Sequence, residues 1–358
     1  MRGSWDESAA PVLSKSSSRT SVKASNHLRC LAMPRSRERV FATQRITEND
    51  IAAGTIRVPA DAKAWFPTDA GRVAVVLKGD AVEASWDPRL GPNRQRSGRL
   101  GVGRAVLERT ATPGEKLPIV RTAKGTIYVG HRGSRLRIAQ WVNERPRRLD
   151  EELRRASPTL DDFLDGRPLE WLSPLAARGY RELADDLWPA LRLPGPSPVK
   201  AGFWPKRGPN WDAVARARGP STRGLVLVEA KSHMNEITSS SSAKDARSVE
   251  TIDRAFAATK RYLGVSPTAA WTSRHYQVAN RLAFLYYLRA RRNIPAWLAF
   301  VYFTGDAFEV DGVPQPCPTD ARGWRPTLEA MKTHLSLPEC HALSPFVIEV
   351  FLHARPTT

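Results

Sequence analysis

The chain has 358 residues, 41% of them hydrophobic and 25% charged, with a formal net charge of +19. That length suggests two domains, and no run approaches the roughly 18 consecutive apolar residues that a membrane helix requires. Three scattered cysteines, Cys30, Cys317 and Cys340, with no CxxC pair, argue against a disulfide framework or a zinc ribbon, and the Cys340-His341 pair lacks a second ligand pair.

The first ten residues include Asp6 and Glu7 and lack an apolar stretch, so a secretory signal is not expected and the chain reads as cytoplasmic. Residues 1–40 are rich in Ser, Arg, Ala and Lys. They read as a disordered basic arm, or as an extension upstream of a start at Met33. The charge is uneven: +5 over residues 1–40, +10 over 41–149 and +4 over 150–358. A basic N-terminal half implies a polyanion partner, because Lys and Arg gain affinity by releasing counterions condensed on phosphates. The competing reading is a generic basic surface.

Residues 41–140 read as a small β-rich unit. Short alternating runs, Thr55–Val58, Val73–Leu77 and Gly125–Val129, are separated by Gly, Pro and Asp. Gly79-Asp80 signals a hairpin, and residues 60–65 a short helix. An Arg-rich loop from Arg89 to Arg104 carries Arg89, Arg94, Arg96, Arg99 and Arg104, the candidate DNA contacts. The succession Ile46-Thr47-Glu48-Asn49-Asp50, Gly54-Thr55-Ile56-Arg57-Val58-Pro59, Phe66-Pro67 and the turn Pro113-Gly114-Glu115-Lys116 resembles a B3-like DNA-binding barrel. The resemblance implies a unit that grips double-stranded DNA; a small barrel without DNA contacts is the alternative.

Residues 141–174 read as a linker with helical pieces, and residues 175–358 as a second, α/β domain. Leu175, Tyr180, Leu183, Leu187 and Leu191 approximate a helical stripe that ends near Pro194. Strands are expected at 199–204, 211–217 and 225–229, helices at 245–263 and 275–291, and buried strands at 296–303 and 346–352. Such an order calls for a mixed central sheet flanked by helices.

The chemistry concentrates in Trp211-Asp212 and Leu225-Val226-Leu227-Val228-Glu229-Ala230-Lys231. Strand side chains alternate, so Glu229 and Lys231 emerge on one face of an otherwise buried strand and Ala230 on the other. Burying such a pair is costly unless something compensates, and a hard cation taking carboxylate oxygens does so. Asp212, on the preceding strand, supplies a second carboxylate. A similar spacing, Asp50 with Asp61-Ala62-Lys63, lacks the apolar run, and its second acid sits where a helix opens.

The surroundings of Asp212, Glu229 and Lys231 resemble the PD-(D/E)xK nuclease superfamily with its restriction-endonuclease-like core, over roughly residues 175–305. Trp211 stands where the motif has Pro, with Pro209 close by. The resemblance implies a Mg²⁺-dependent endonuclease hydrolysing DNA phosphodiesters, in restriction or defence, with Asp212 and Glu229 as metal ligands and Lys231 orienting the attacking water. A homodimer is the companion expectation, because a duplex has two strands to cut. It further implies a helical acid ahead of the first strand: Glu182, with Asp185 and Asp186 as rivals. Gln277, Asn280 and Arg281 open a later helix and are candidate phosphate contacts. His233 reads either as a substrate contact or as a surface histidine, and Ser239–Ser242 as a mobile loop. Trp204, Trp211 and Trp271 are candidates for a nucleotide channel, and Trp297 for the core. A non-catalytic nucleic-acid-binding protein on the same fold, and a repair or RNA nuclease, remain the alternatives.

Overall fold

A computed structural model describes residues 41–354 apart from 79, 91–95, 123–124, 131–132, 179, 311–312 and 316. The expected basic arm, Gly79 of the hairpin and Arg94 lie outside the described residues.

The N-terminal sheet is built from short strands: β1 (Phe41–Ala42), β2 (Thr55–Val58), β3 (Gly71–Leu77), β4 (Asp80–Asp87), β5 (Gly98–Gly101), β6 (Pro118–Arg121) and β7 (Ile127–Val129). Their order is β1-β6-β7-β3-β4-β5-β2. The β3–β7 pair is parallel and its neighbours are antiparallel, so the sheet is mixed. Its two ends nearly meet. The Gln44 N–H donates to the Arg57 carbonyl at 2.9 Å, and the Arg57 guanidinium donates to the Arg45 carbonyl at 2.7 Å. Alternation follows the pleat: Ile56, Val58, Ala84, Trp86 and Leu100 face a closed apolar core, while Arg99 points outward.

Two short helices close this sheet, α1 (Glu48–Ala53) and α2 (Arg104–Thr110). The first opens on a capping box in which Thr47 and Asp50 satisfy each other's backbone N–H. Asp50 is thereby committed to the cap and to Arg57 at 2.9 Å, and Asp61 begins a single 3₁₀ turn, Asp61–Trp65. The look-alike acid pair is structural.

Three helices follow: α3 (Gly133–Glu144), α4 (Pro146–Arg155) and α5 (Pro158–Leu164). The first of them spans residue 140. Next come β8 (Glu170–Ser173), α6 (Leu187–Leu191), β9 (Ala213–Arg218), β10 (Arg223–Lys231), α7 (Ala246–Leu263) and α8 (Tyr276–Tyr286), whose last turn widens into a π turn over Tyr287–Arg291. Then β11 (Ala296–Thr304), the small β12 (Phe308–Val310) and β13 (Val313–Gln315) hairpin, α9 (Ala321–His334) and β14 (Val347–His353) complete the chain.

The second sheet has the order β14-β11-β10-β9-β8, parallel across β14, β11 and β10 and antiparallel on to β9 and β8. Both faces are covered. Leu225, Leu227, Leu298 and Phe300 pack with Ile252, Phe256, Val278 and Leu282 of α7 and α8. Val226, Val228, Val301 and Phe303 pack with Ile138, Trp141, Leu153 and Leu160 of α3, α4 and α5. Double coverage is why β10 and β11 are continuous apolar runs without alternation.

Two expected elements are replaced. The 175–191 stripe forms only a 3₁₀ turn at Ala176–Arg178 and the five-residue α6. Between them Tyr180 turns left-handed (φ 57°) and Leu183 bridges Trp211 in antiparallel fashion, so backbone pairing replaces the helix. Residues 199–204 form no strand; the N–H groups of Phe203 and Trp204 both turn back to the Pro198 carbonyl. Tyr180 also meets Tyr128 of β7 edge-on at 5.6 Å, which ties this segment to the first sheet. Among the described residues no helix is long and apolar enough to cross a membrane.

Candidate active site

The strand β10 delivers Glu229 and Lys231 to one side, while Ala230 turns to the apolar layer under α3. Asp212, immediately before β9, reaches across the β9–β10 pair: its Oδ2 accepts the Ala230 N–H at 2.7 Å. One residue earlier, the Trp211 N–H donates to the Leu183 carbonyl at 2.9 Å, which draws Glu182 alongside. Glu182 therefore joins the site from an extended segment, and the expectation of a helical acid is corrected. Its carboxylate pairs with Arg135 of α3 at 2.8 Å.

The first two turns of α8 complete the constellation. Glu229, 1% exposed, is clamped from both sides. Lys231 Nζ donates to Oε1, and Arg281 donates to Oε2 through Nε at 2.7 Å and through its terminal nitrogen at 2.5 Å. Lys231 also donates to Gln277 Oε1 at 3.0 Å. Arg281 lies over the Trp211 ring at 4.6 Å and donates to the Asn210 carbonyl at 2.6 Å and to Asn280 Oδ1 at 2.9 Å. Gln277 and Asn280, expected as phosphate contacts, thus hold the charged side chains of the site.

The charges divide unequally. Burial pushes the Glu229 carboxyl up, but Arg281 and Lys231 outweigh it and hold the group below the usual range. Burial pushes Lys231 down, but Glu229 and Asp212 outweigh it, so the ammonium is stabilised. Asp212 goes the other way: burial first, then the Glu229 charge, push its carboxyl up to about 7 against the pull of Lys231. Glu182 is also raised, by burial, with Arg135 opposing. Glu229 is neutralised by two cations, Glu182 is raised by burial despite its pairing with Arg135, and Asp212 has no cation of its own.

These groups line a cleft of about 660 Å³ that also takes in Arg207, Asn210, Ser239 and Glu236. Among the described residues no group of three or more His, Cys, Asp or Glu side chains is arranged to hold a metal ion. The donor chemistry nevertheless suits a hard cation. Asp212 Oδ1 accepts no hydrogen bond among the described residues, and an adjacent cation would favour the ionised forms of both Asp212 and Glu182.

Other expected residues fall elsewhere. Asp185 accepts the N–H groups of Arg207 and Gly208 at 2.8 and 2.9 Å, and Asp186 pairs with Arg181 at 2.7 Å; neither lines the cleft. His233 is neither a cleft residue nor a surface one: it is buried between Glu236 Oε1 at 3.0 Å and the Asp306 carbonyl at 3.2 Å. Ser239, Ser240 and Ser242 line the cleft. Ser239 fastens α8, its Oγ accepting the Gln277 N–H at 2.9 Å and its carbonyl that of Tyr276 at 3.1 Å. Trp204 borders the cleft but is buried, as are Trp211, Trp271 and Trp297, so the nucleotide-channel expectation gives way to core packing.

On the first sheet Arg99 projects from β5, Arg96 precedes that strand in the open, and Arg89 is half-buried. Arg104, at the start of α2, pairs with Glu108 at 2.7 Å. Sequence reasoning passed over Arg135 and Arg207. The first has no local signal, lying 77 positions before Asp212; the second sits in Lys206-Arg207-Gly208, a basic turn ahead of the first acid. Comparison with protein-family models, curated proteins and solved structures found no match.

Proposed function

We propose that the chain is a Mg²⁺-dependent DNA endonuclease of the PD-(D/E)xK type, with a restriction-endonuclease-like core and a B3-like basic barrel that grips the duplex. Restriction or defence against foreign DNA is the role this reading carries. One observation bears most of it: Asp212 and the Glu229-x-Lys231 pair converge across adjacent strands in a polar cleft, where Asp212 is left short of positive charge. The five-stranded mixed sheet with helices on both faces is the setting such a site needs.

In this reading Asp212 and Glu229 hold the cation, with Glu182 as a third acid. Mg²⁺, when bound, neutralises charge growing on the phosphate oxygens and acidifies its water. Lys231, kept protonated by its carboxylate neighbours and held by Glu229 and Gln277, has one N–H left to donate to the attacking water. Exposed arginines of the barrel supply affinity that falls with salt.

A second reading has its own observation. Both oxygens of Glu229 are already taken by Lys231 and Arg281, which suits a non-catalytic DNA-binding platform. Cleavage of supercoiled and linear plasmid with Mg²⁺ or EDTA separates the two. Mg²⁺-dependent cuts that vanish in Lys231→Ala are the expected result. Folded protein that binds DNA yet cuts neither DNA nor RNA would leave the platform reading standing.

A further inference from the structure

We propose that Arg207 grips a backbone phosphate of the strand lying in the cleft, next to the phosphodiester over Asp212 and Glu229. The proposal rests on the nucleic-acid reading of that cleft and adds the residue that receives the substrate's charge.

Three arginines line the cleft. Arg135 is committed to Glu182 and Arg281 to Glu229. Arg207 is exposed and has no ion pair among the described residues. Of the acids lining the cleft, Asp212 has no cation of its own, and its charge when ionised would repel an incoming phosphate, so an uncommitted guanidinium offsets that repulsion. Its planar fork also matches phosphate oxygens two at a time.

The backbone beneath Arg207 is built for presentation. Its φ of 63° lies in the left-handed region, which strains a non-glycine residue and persists only where surroundings enforce it. Asp185 enforces it by accepting the N–H groups of Arg207 and Gly208 at 2.8 and 2.9 Å. A Cβ on Gly208 would lie 3.0 Å from Asp185 Oδ1 and 3.4 Å from the Phe284 ring, so the close approach uses the glycine. Pro205 and Pro209 bracket the turn, and the Asn210 carbonyl accepts from Arg281 at 2.6 Å. The loop that carries Arg207 is thus tied directly to the side chain that clamps Glu229.

The test is equilibrium binding of a fluorescent duplex and of a single strand in EDTA, where no metal-dependent cutting occurs, across a series of NaCl concentrations. Arg207→Ala should weaken binding about tenfold at low salt and lower the slope of log affinity against log salt by about one. Arg207→Lys should keep the slope while losing part of the affinity, because the charge remains and the fork does not. Asp185→Ala should weaken binding less than Arg207→Ala. An Arg207→Ala protein with unchanged affinity and slope overturns the proposal, as does a wild type that binds neither probe. The nuclease reading is separable. A wild type that never cuts, but whose Arg207→Ala variant loses one unit of slope, keeps Arg207 and loses the enzyme. A wild type that cuts with Mg²⁺ at the same DNA concentrations as Arg207→Ala keeps the enzyme and loses Arg207.

Discussion

Arg281 and Glu229 form a buried ion pair in which Oε2 of the acid accepts from Nε at 2.7 Å and from a terminal guanidinium nitrogen at 2.5 Å, with the side chains 5% and 2% exposed. Removing one partner of such a pair typically costs about 3–5 kcal/mol, and Lys231, still on Oε1 of Glu229, places the loss at the low end. Arg281→Gln should therefore lower unfolding stability by roughly 3 kcal/mol in EDTA, read from denaturant titration. On the nuclease reading this guanidinium would compete with a cation for Glu229, so added Mg²⁺ should raise the melting temperature of Arg281→Gln further than that of wild type. Equal shifts would mean that Arg281 and the cation occupy different oxygens.

Asp212 gives a prediction of opposite sign. Its carboxyl is pushed up to about 7 by burial and by Glu229, so the folded protein keeps a proton that the unfolded chain releases near 3.8. Stability linked to this group is complete below the unfolded value and declines as pH rises through about 7. Asp212→Asn removes the decline while leaving an amide oxygen to accept the Ala230 N–H. In EDTA at pH 8 the variant should be more stable by about 1–2 kcal/mol, less than the full linkage value because buried clusters relax. It should match wild type at pH 4 and show no Mg²⁺-dependent stabilisation. A variant that melts below wild type at pH 8 would contradict the charge shortage at Asp212.

The parts of this site legible from sequence were those fixed by local pattern. Leu225–Val228 reads as a buried strand because its run has no polar break, and alternation then puts Glu229 and Lys231 on one side. The strands β11 and β14 and helices α7 and α8 follow from the same logic. What sequence missed depends on distant backbone. The 175–191 stripe has helical spacing, yet Leu183 pairs with Trp211, and that pairing brings Glu182 beside Asp212. The Ser239 segment has the composition of a loose loop, yet it bridges His275 and fastens α8. Arg135 arrives on α3, and nothing near it in sequence announces Glu182 as its partner.

The buried His233 supplies a pH dependence of its own. Its two ring nitrogens face two acceptors, Glu236 Oε1 at 3.0 Å and the Asp306 carbonyl at 3.2 Å, so both contacts are satisfied only when both nitrogens carry protons. Burial lowers its pKa, but Glu236 and Asp306 outweigh this and raise it above 6.5. The stabilisation is fully present below the unfolded value of 6.5 and fades as pH rises through the folded one. Between pH 6 and pH 9 wild type should lose more stability than His233→Gln, in melts run side by side in EDTA. Parallel losses would show that the imidazole stays neutral throughout.

The barrel arginines are not equivalent, and their pairing says which should matter for DNA. Arg99 on β5 stands opposite Arg57, but Arg57 is spent on Asp50, and Arg99 has no ion pair among the described residues. Arg104 is neutralised by Glu108 one helical turn away at 2.7 Å. A phosphate gains less from a cation that must first give up a carboxylate, although an exposed pair of this kind is worth only about 0–1 kcal/mol. Arg99→Ala and Arg96→Ala should each lower the salt slope of duplex binding by about one, and Arg104→Ala by less. The measurement is fluorescence anisotropy with one duplex over a range of NaCl. If Arg104→Ala costs as much slope as Arg99→Ala, the Glu108 pair opens freely on the DNA. If none of the three moves the slope, the duplex is gripped by another surface, and the basic face of the barrel has a different partner.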